Sequence, residues 1–152
     1  MKIVIGSDHG GFDIKGIIAH FLSDKGHEVI DVGAFVHEPS DDYPDFARAV
    51  AETILKGGAD RGILICGSGV GASVAANKFP GIRAALCHDS FSAHQGVEDD
   101  NINILCLGAR VIGEELAKEL VSFFLAARFS GAERHVRRLG KVATIEKEFL
   151  QT

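Results

Sequence analysis

The run Gly62-Ile63-Leu64-Ile65-Cys66-Gly67-Ser68-Gly69-Val70-Gly71 sets the terms for everything around it. Its unbroken apolar stretch, mostly β-branched, reads as a strand covered on both faces, the mark of a parallel sheet. A thiol and alternating glycines follow at once. Glycine at every second position lets the main chain turn with positive φ and brings bare N–H groups close to a ligand. The next residues, Ala72 to Lys78, have helical composition, so those N–H groups are expected at the positive end of a helix dipole, where an anion or a developing negative charge is favoured. Cys66 stands at the lip of that field, and a thiol there is expected to ionise more easily than in free solution.

The flanking chain repeats the same alternation. Lys2 to Gly6 is strand-like, and Ser7-Asp8-His9-Gly10-Gly11 breaks it with two titratable side chains. Ile14, Ile17, Ile18, Phe21 and Leu22 then recur at helical spacing, and Glu28 to Gly33 forms a second strand. Asp41 to Asp45 is a loop with Pro44 at a helix start, and Phe46, Val50, Ile54 and Leu55 give that helix its apolar face. Gly81 to Cys87 and Asn103 to Gly108 are the fourth and fifth strands, separated by a helix from Phe91 that runs into Glu98-Asp99-Asp100-Asn101. An amphipathic helix spans Glu114 to Phe129, and a helical tail carries Ile145, Phe149 and Leu150 on one face. The expected fold is therefore a Rossmann-like three-layer α/β fold, with a five-stranded parallel sheet, helices on both faces and a C-terminal helical extension.

With 152 residues, the chain suits a single domain spanning 1–152. The formal charge of −5 argues against a general nucleic-acid binder but leaves room for a small anionic ligand held by a local basic cluster. No apolar run reaches the roughly 18 residues of a membrane span, and the first residues enter a strand directly, so no membrane association and a cytoplasmic location are expected. The three cysteines, Cys66, Cys87 and Cys106, are widely spaced in apolar runs, which fits neither a disulfide framework nor a zinc site. No metal and no cofactor are expected.

In open α/β sheets ligands bind at the carboxyl ends of the strands. That rule gathers Asp8 and His9, Cys66 to Gly71, and His88 and Asp89. Each has a plainer alternative: the glycine loop as a tight turn, Asp8 as a helix cap, the histidines as solvated or structural groups. The loop lacks the Walker A sequence and the G-x-G-x-x-G spacing, which makes a nucleotide-binding domain the weaker reading. Cys87 and Cys106 read as buried core thiols, whereas polar, flexible backbone follows Cys66. Arg134 and Arg138, four apart, are either a surface charge stripe or a phosphate grip.

Taken together, these segments resemble the ribose-5-phosphate isomerase B family, which includes galactose-6-phosphate isomerase subunits and allose-6-phosphate isomerases. The resemblance rests on Gly6 to Phe12, Asp42-Tyr43-Pro44, Ile65 to Gly71, Ala75 to Lys78, Gly81 to Ala84, Gly108 to Gly113 and Arg134-His135 with Arg138. It implies a metal-free aldose-ketose isomerase acting through an enediolate on a phosphorylated monosaccharide, most simply ribose 5-phosphate and ribulose 5-phosphate, with hexose 6-phosphates (allose or galactose) as the alternative. Cys66 matches the family's proton-abstracting base, and Gly67, Ser68, Gly69, Val70 and Gly71 match the loop that donates N–H groups to the oxyanion. Asp8 and His9 match a pair that holds sugar hydroxyls and the ring oxygen or the phosphate, Tyr43 and Asp100 match further substrate-binding positions, and Arg110, Arg134 and Arg138 match the phosphate ligands. The resemblance also implies a homodimer or dimer of dimers with shared active sites, residues 131–152 packing on the partner subunit.

One position departs from that pattern. Where ribose 5-phosphate isomerases of this kind commonly carry a ring-opening histidine, this sequence has Asp99, a poorer acid near neutrality. Ring opening then falls to Asp99, to His88 or to His94, or the sugar is a different one. A non-catalytic sugar-phosphate-binding module that kept the pocket is the competing reading from another class.

Overall fold

The computed structural model describes residues 1–150. Short β-rich runs form β1 (Lys2–Ser7), β2 (Glu28–Asp31), β3 (Arg61–Cys66), β4 (Ala84–Leu86) and β5 (Ile104–Gly108). They make one parallel sheet in the order β2-β1-β3-β5-β4, with Ile5 opposite Ile63 and Cys66 opposite Gly108. The connections run outward in opposite directions from β1 and β3. The crevice between the carboxyl ends of those two strands is thus the switch point at which such sheets bind ligands.

Side-chain alternation along the strands splits the core in two. Ile3, Ile5, Ile63, Ile65, Leu105 and Leu107 face α1 (Phe12–Asp24), α4 (Ser90–Asp100) and α5 (Glu114–Ala126), meeting Ile18, Val97, Leu120 and Phe124. Val4, Leu64, Cys66, Ile104 and Cys106 face α2 (Tyr43–Leu55) and α3 (Val70–Ala76), meeting Val50, Ala51, Ala72 and Ala76. Each fully buried aliphatic or aromatic side chain contributes about 1.5–3 kcal/mol. The three layers expected from the sequence are present.

Two polar anchors fix the layers at opposite ends. Lys15 on α1 is buried, and its Nζ donates to Asp31 Oδ1 at 2.7 Å, Asp31 Oδ2 at 2.8 Å and the Ala34 carbonyl at 2.6 Å. That bond set ties α1 to the end of β2 and to the loop leading toward Tyr43. At the other end, Arg61 donates to the carbonyls of Phe124 and Ala127, the latter at 2.7 Å, closing the last turn of α5.

Several boundaries differ from the sequence reading. The fourth strand is only Ala84–Leu86, because Gly81 and Arg83 spend their backbone N–H groups on Glu146 and Asn103 side chains. The helix expected to reach Phe129 ends at Ala126, where Ala127 turns to extended backbone. The C-terminal tail is one long helix, α6 (Glu133–Phe149), whose one buried residue is His135. Among the described residues, no helix is long and apolar enough to cross a membrane.

Candidate active site

Every loop at the carboxyl edge of β1, β2, β3 and β5 contributes to one cavity of about 320 Å³. It is lined by Asp8, His9 and Gly10 after β1, by Tyr43 at the head of α2, by Cys66, Gly67, Ser68 and Gly71, and by Arg110 and Val111 after β5. Cys66 is only 5% exposed, yet its open side is this cavity. The sulfur accepts the Gly69 N–H at 3.0 Å, and the Ser68 hydroxyl accepts the Val70 N–H at 3.2 Å. Two of the five expected loop donors therefore serve the loop itself. Gly67, Ser68 and Gly71 remain at the cavity wall.

The loop has its shape because little else fits. Gly69 takes φ +79°, the left-handed region, and a Cβ there would come within 2.6 Å of Leu86 Cδ1. A Cβ on Gly108 would overlap the Ser68 carbonyl. Beyond the strands, the Ala109 N–H donates to the Cys66 carbonyl and the Arg110 N–H to the Gly67 carbonyl, both at 2.9 Å. Arg110 consequently lies along Gly67, its Cδ 3.5 Å from where a Cβ would stand.

Asp8 does both jobs weighed for it. Its Oδ1 accepts the Gly10 and Gly11 N–H groups at 2.9 and 3.3 Å, capping the 3-10 turn over His9–Gly11, and it also lines the cavity. His9 is held by a residue outside the expected set. Asp41 Oδ1 lies 2.6 Å from His9 Nδ1 and also accepts the His9 backbone N–H at 3.0 Å. This hydrogen bond, with the charges of Asp8 and Asp41, raises the His9 pKa above its usual value, against burial and Arg110. Asp8, His9 and Asp41 each offer a ligand atom within 4.8 Å of the others, although the His9 nitrogen nearest Asp41 is already engaged.

Other expected residues are elsewhere. His88 Nε2 accepts the Gly108 N–H at 2.9 Å, bracing β5, and Asp89 caps α4 through the Ser92 N–H at 2.7 Å. Val70 is exposed at the start of α3 and Gly69 sits beneath the loop. Asp99 and Asp100 end α4, which returns from the carboxyl edge of β4 to the amino edge of β5. Six residues of β3 at about 3.3 Å each put the two edges about 20 Å apart, so these carboxylates are at the opposite end from Cys66 of their own chain. There Asp99 Oδ1 lies 3.2 Å from the buried His135 Nε2, Gln95 Nε2 donates to Asp99 Oδ2 at 2.5 Å, and Ser130 bonds back to Glu98. Arg134, the second residue of α6, and Arg138, one turn further along, belong to that same end.

The chain matches the family described as Ribose/Galactose Isomerase over residues 3–142. It belongs to that family. The ribose-5-phosphate isomerase B of Escherichia coli is 45% identical over 146 residues, covering 96% of this chain and 97% of that protein. The Clostridium thermocellum ribose-5-phosphate isomerase B structure superposes with a TM-score of 0.95 at 53% identity, covering 98% of this chain and 99% of the other. The Mycoplasma genitalium ribose-5-phosphate isomerase B structure, with bound ribulose-5-phosphate, gives 0.92 at 43% identity over 97% of each chain. The isomerase family resemblance and the fold read from the sequence hold, and the family's members are enzymes of the isomerase class.

Proposed function

We propose that this chain interconverts ribose 5-phosphate and ribulose 5-phosphate through an enediolate, with Cys66 as the base. The observation that carries the reading is the Cys66 sulfur, braced by the Gly69 N–H at 3.0 Å, at the wall of a cavity that also presents Arg110 and His9. A proton taken from C2 leaves charge on the carbonyl oxygen, and in this reading Gly67, Ser68 and Gly71, which line the cavity, offer donors to it. Arg110 grips the phosphate. The names of the relatives, and the ribulose-5-phosphate bound in one of them, favour this pair of sugars.

In this reading Asp99, Asp100, Arg134 and Arg138 act on the cavity of a second copy, since their own is about 20 Å away. The α6 helix supports such an assembly: Val136, Val142, Ile145 and Phe149 are all exposed on it in the single chain. Residues 131–152 then pack on the partner subunit, with residues 151 and 152 outside the described structure. The enzyme works in the cytoplasm on a phosphorylated monosaccharide, without a cofactor.

A coupled assay across ribose 5-phosphate, allose 6-phosphate and galactose 6-phosphate tests the substrate. Turnover of ribose 5-phosphate is expected to lead, and none on any of the three overturns the isomerase reading. Mixing inactive Cys66→Ala and Arg134→Ala proteins after subunit exchange tests the shared site. Random pairing in a two-fold dimer restores about a quarter of wild-type activity. No recovery despite proven exchange places the site within one chain.

A further inference from the structure

We infer that Asp41 is a positioning residue for His9, and that His9 gives its proton to the ring oxygen of a cyclic aldose phosphate as the ring opens. The inference rests on the isomerase reading and assigns ring opening to a residue other than Asp99, His88 and His94. A furanose must open before a base can reach C2. That step needs an acid at the ring oxygen that is effective near neutral pH, a task that suits an imidazole better than a carboxylate.

The alternatives named from the sequence are occupied or distant. His88 uses Nε2 to accept the Gly108 N–H, so that nitrogen carries no proton to give. His94 stands on α4 and pairs with Glu98 at 3.2 Å. Asp99, which reaches a cavity only in a second copy, has both carboxylate oxygens engaged, by Gln95 and by His135. Among the described residues lining the cavity, His9 is the one imidazole.

Its geometry suits the task. Asp41 accepts both the His9 backbone N–H and Nδ1–H through the same oxygen, at 3.0 and 2.6 Å, which fixes the ring plane and leaves Nε2 as the free nitrogen. Asp41 Oδ2 is buried with no hydrogen-bond partner, so the imidazolium is the charge that balances this carboxylate. The charged and titratable groups around His9 are Asp8, Asp41, Arg110 and His37, whose ring stands edge-on with its centroid 6.2 Å away. The carboxylates outweigh Arg110 and raise the His9 pKa.

The step balances within the cavity. The anomeric O1–H bond gives its electron pair to form C1=O1, and its proton passes to Asp8 Oδ2, the oxygen not used in capping. The bond from C1 to the ring oxygen breaks, and the ring oxygen takes its proton from His9 Nε2. Asp8 then loses, and His9 regains, one proton through solvent.

The test separates ring opening from isomerisation. In Cys66→Ala, which cannot isomerise, exchange between the α and β anomers of C1-labelled ribose 5-phosphate is followed by NMR. We expect the protein to accelerate exchange, His9→Gln to remove at least about 10²-fold of that acceleration, and Asp41→Asn about tenfold. In the otherwise wild-type enzyme, Asp41→Asn is expected to shift the high-pH limb of kcat/KM downward, because His9 loses the partner that keeps it protonated. Undiminished anomer exchange in either double variant, or an unmoved limb in a folded Asp41→Asn enzyme, overturns the inference. Wild-type turnover of ribose 5-phosphate without accelerated exchange in Cys66→Ala also overturns it, while leaving the isomerase reading intact.

Discussion

The Cys66 sulfur and the Gly69 N–H are 3.0 Å apart, closing a three-residue loop on itself. The proposed base is therefore positioned by backbone rather than by surrounding side chains. Replacing Cys66 with alanine is expected to lower kcat by roughly 10²- to 10⁴-fold while leaving sugar-phosphate affinity nearly unchanged. Steady-state kinetics and calorimetric titration check both halves, and retained turnover removes the assigned base.

Cys66 also differs from Cys87 and Cys106 in lining the cavity. Burial pushes the Cys87 thiol up to about 11, with Asp89 adding to the shift, and burial drives the fully enclosed Cys106 higher still. Limited alkylation at about pH 8 is expected to label Cys66 first, read by peptide mass mapping. Labelling of Cys106 ahead of Cys66 in folded protein contradicts the arrangement.

A methyl group at Gly108 has backbone in its way, the Ser68 carbonyl, rather than a side chain that can swing aside. Gly108→Ala is expected to cost about 1–3 kcal/mol by overpacking and to displace the loop. Activity should fall even at temperatures where the variant remains folded. Thermal melts with parallel assays distinguish the two effects.

Removing the Lys15 ammonium leaves Asp31 without its main partner at the end of β2. A fully buried pair would lose about 3–5 kcal/mol, but Asp31 is 36% exposed, so about 2 kcal/mol is expected for Lys15→Ala. For a chain of this size that is a fall in Tm of about 5 °C. A change of less than about 1 °C shows that water replaces the ammonium.

His9 gains its partner on folding, and its pKa is raised. Its contribution to stability is fully present below about pH 6.5 and is lost as pH rises through the folded-state pKa. The stability difference between wild type and His9→Gln is thus expected to shrink from about pH 6 to pH 9. A difference that grows over that range reverses the assigned sign.

Much of this was legible from spacing because a parallel sheet enforces it. Strands buried on both faces must be apolar runs, and the loops that follow them must meet at one edge, which located Asp8, His9 and Cys66. Asp41 was not legible, because its bond to His9 crosses 32 residues and depends on the path of the chain after β2. His88 reached the same edge by topology with a structural role as its default, and the particular partner, the Gly108 N–H, is a backbone demand that no local pattern announces. The separation of Asp99 and Arg134 from Cys66 follows from helix direction, which only the strand order settles.

The paired bonds from Ala109 and Arg110 to the carbonyls of Cys66 and Gly67 put the Cys66 sulfur and the cationic side chain on a common ruler. Lengthening either loop by one residue would break both links at once, leaving little freedom to move the sulfur relative to the arginine. If Cys66 and Arg110 act as proposed, adaptation to longer or shorter sugars must come from the walls, at Tyr43 and Val111, while the spacing between base and anchor stays constant.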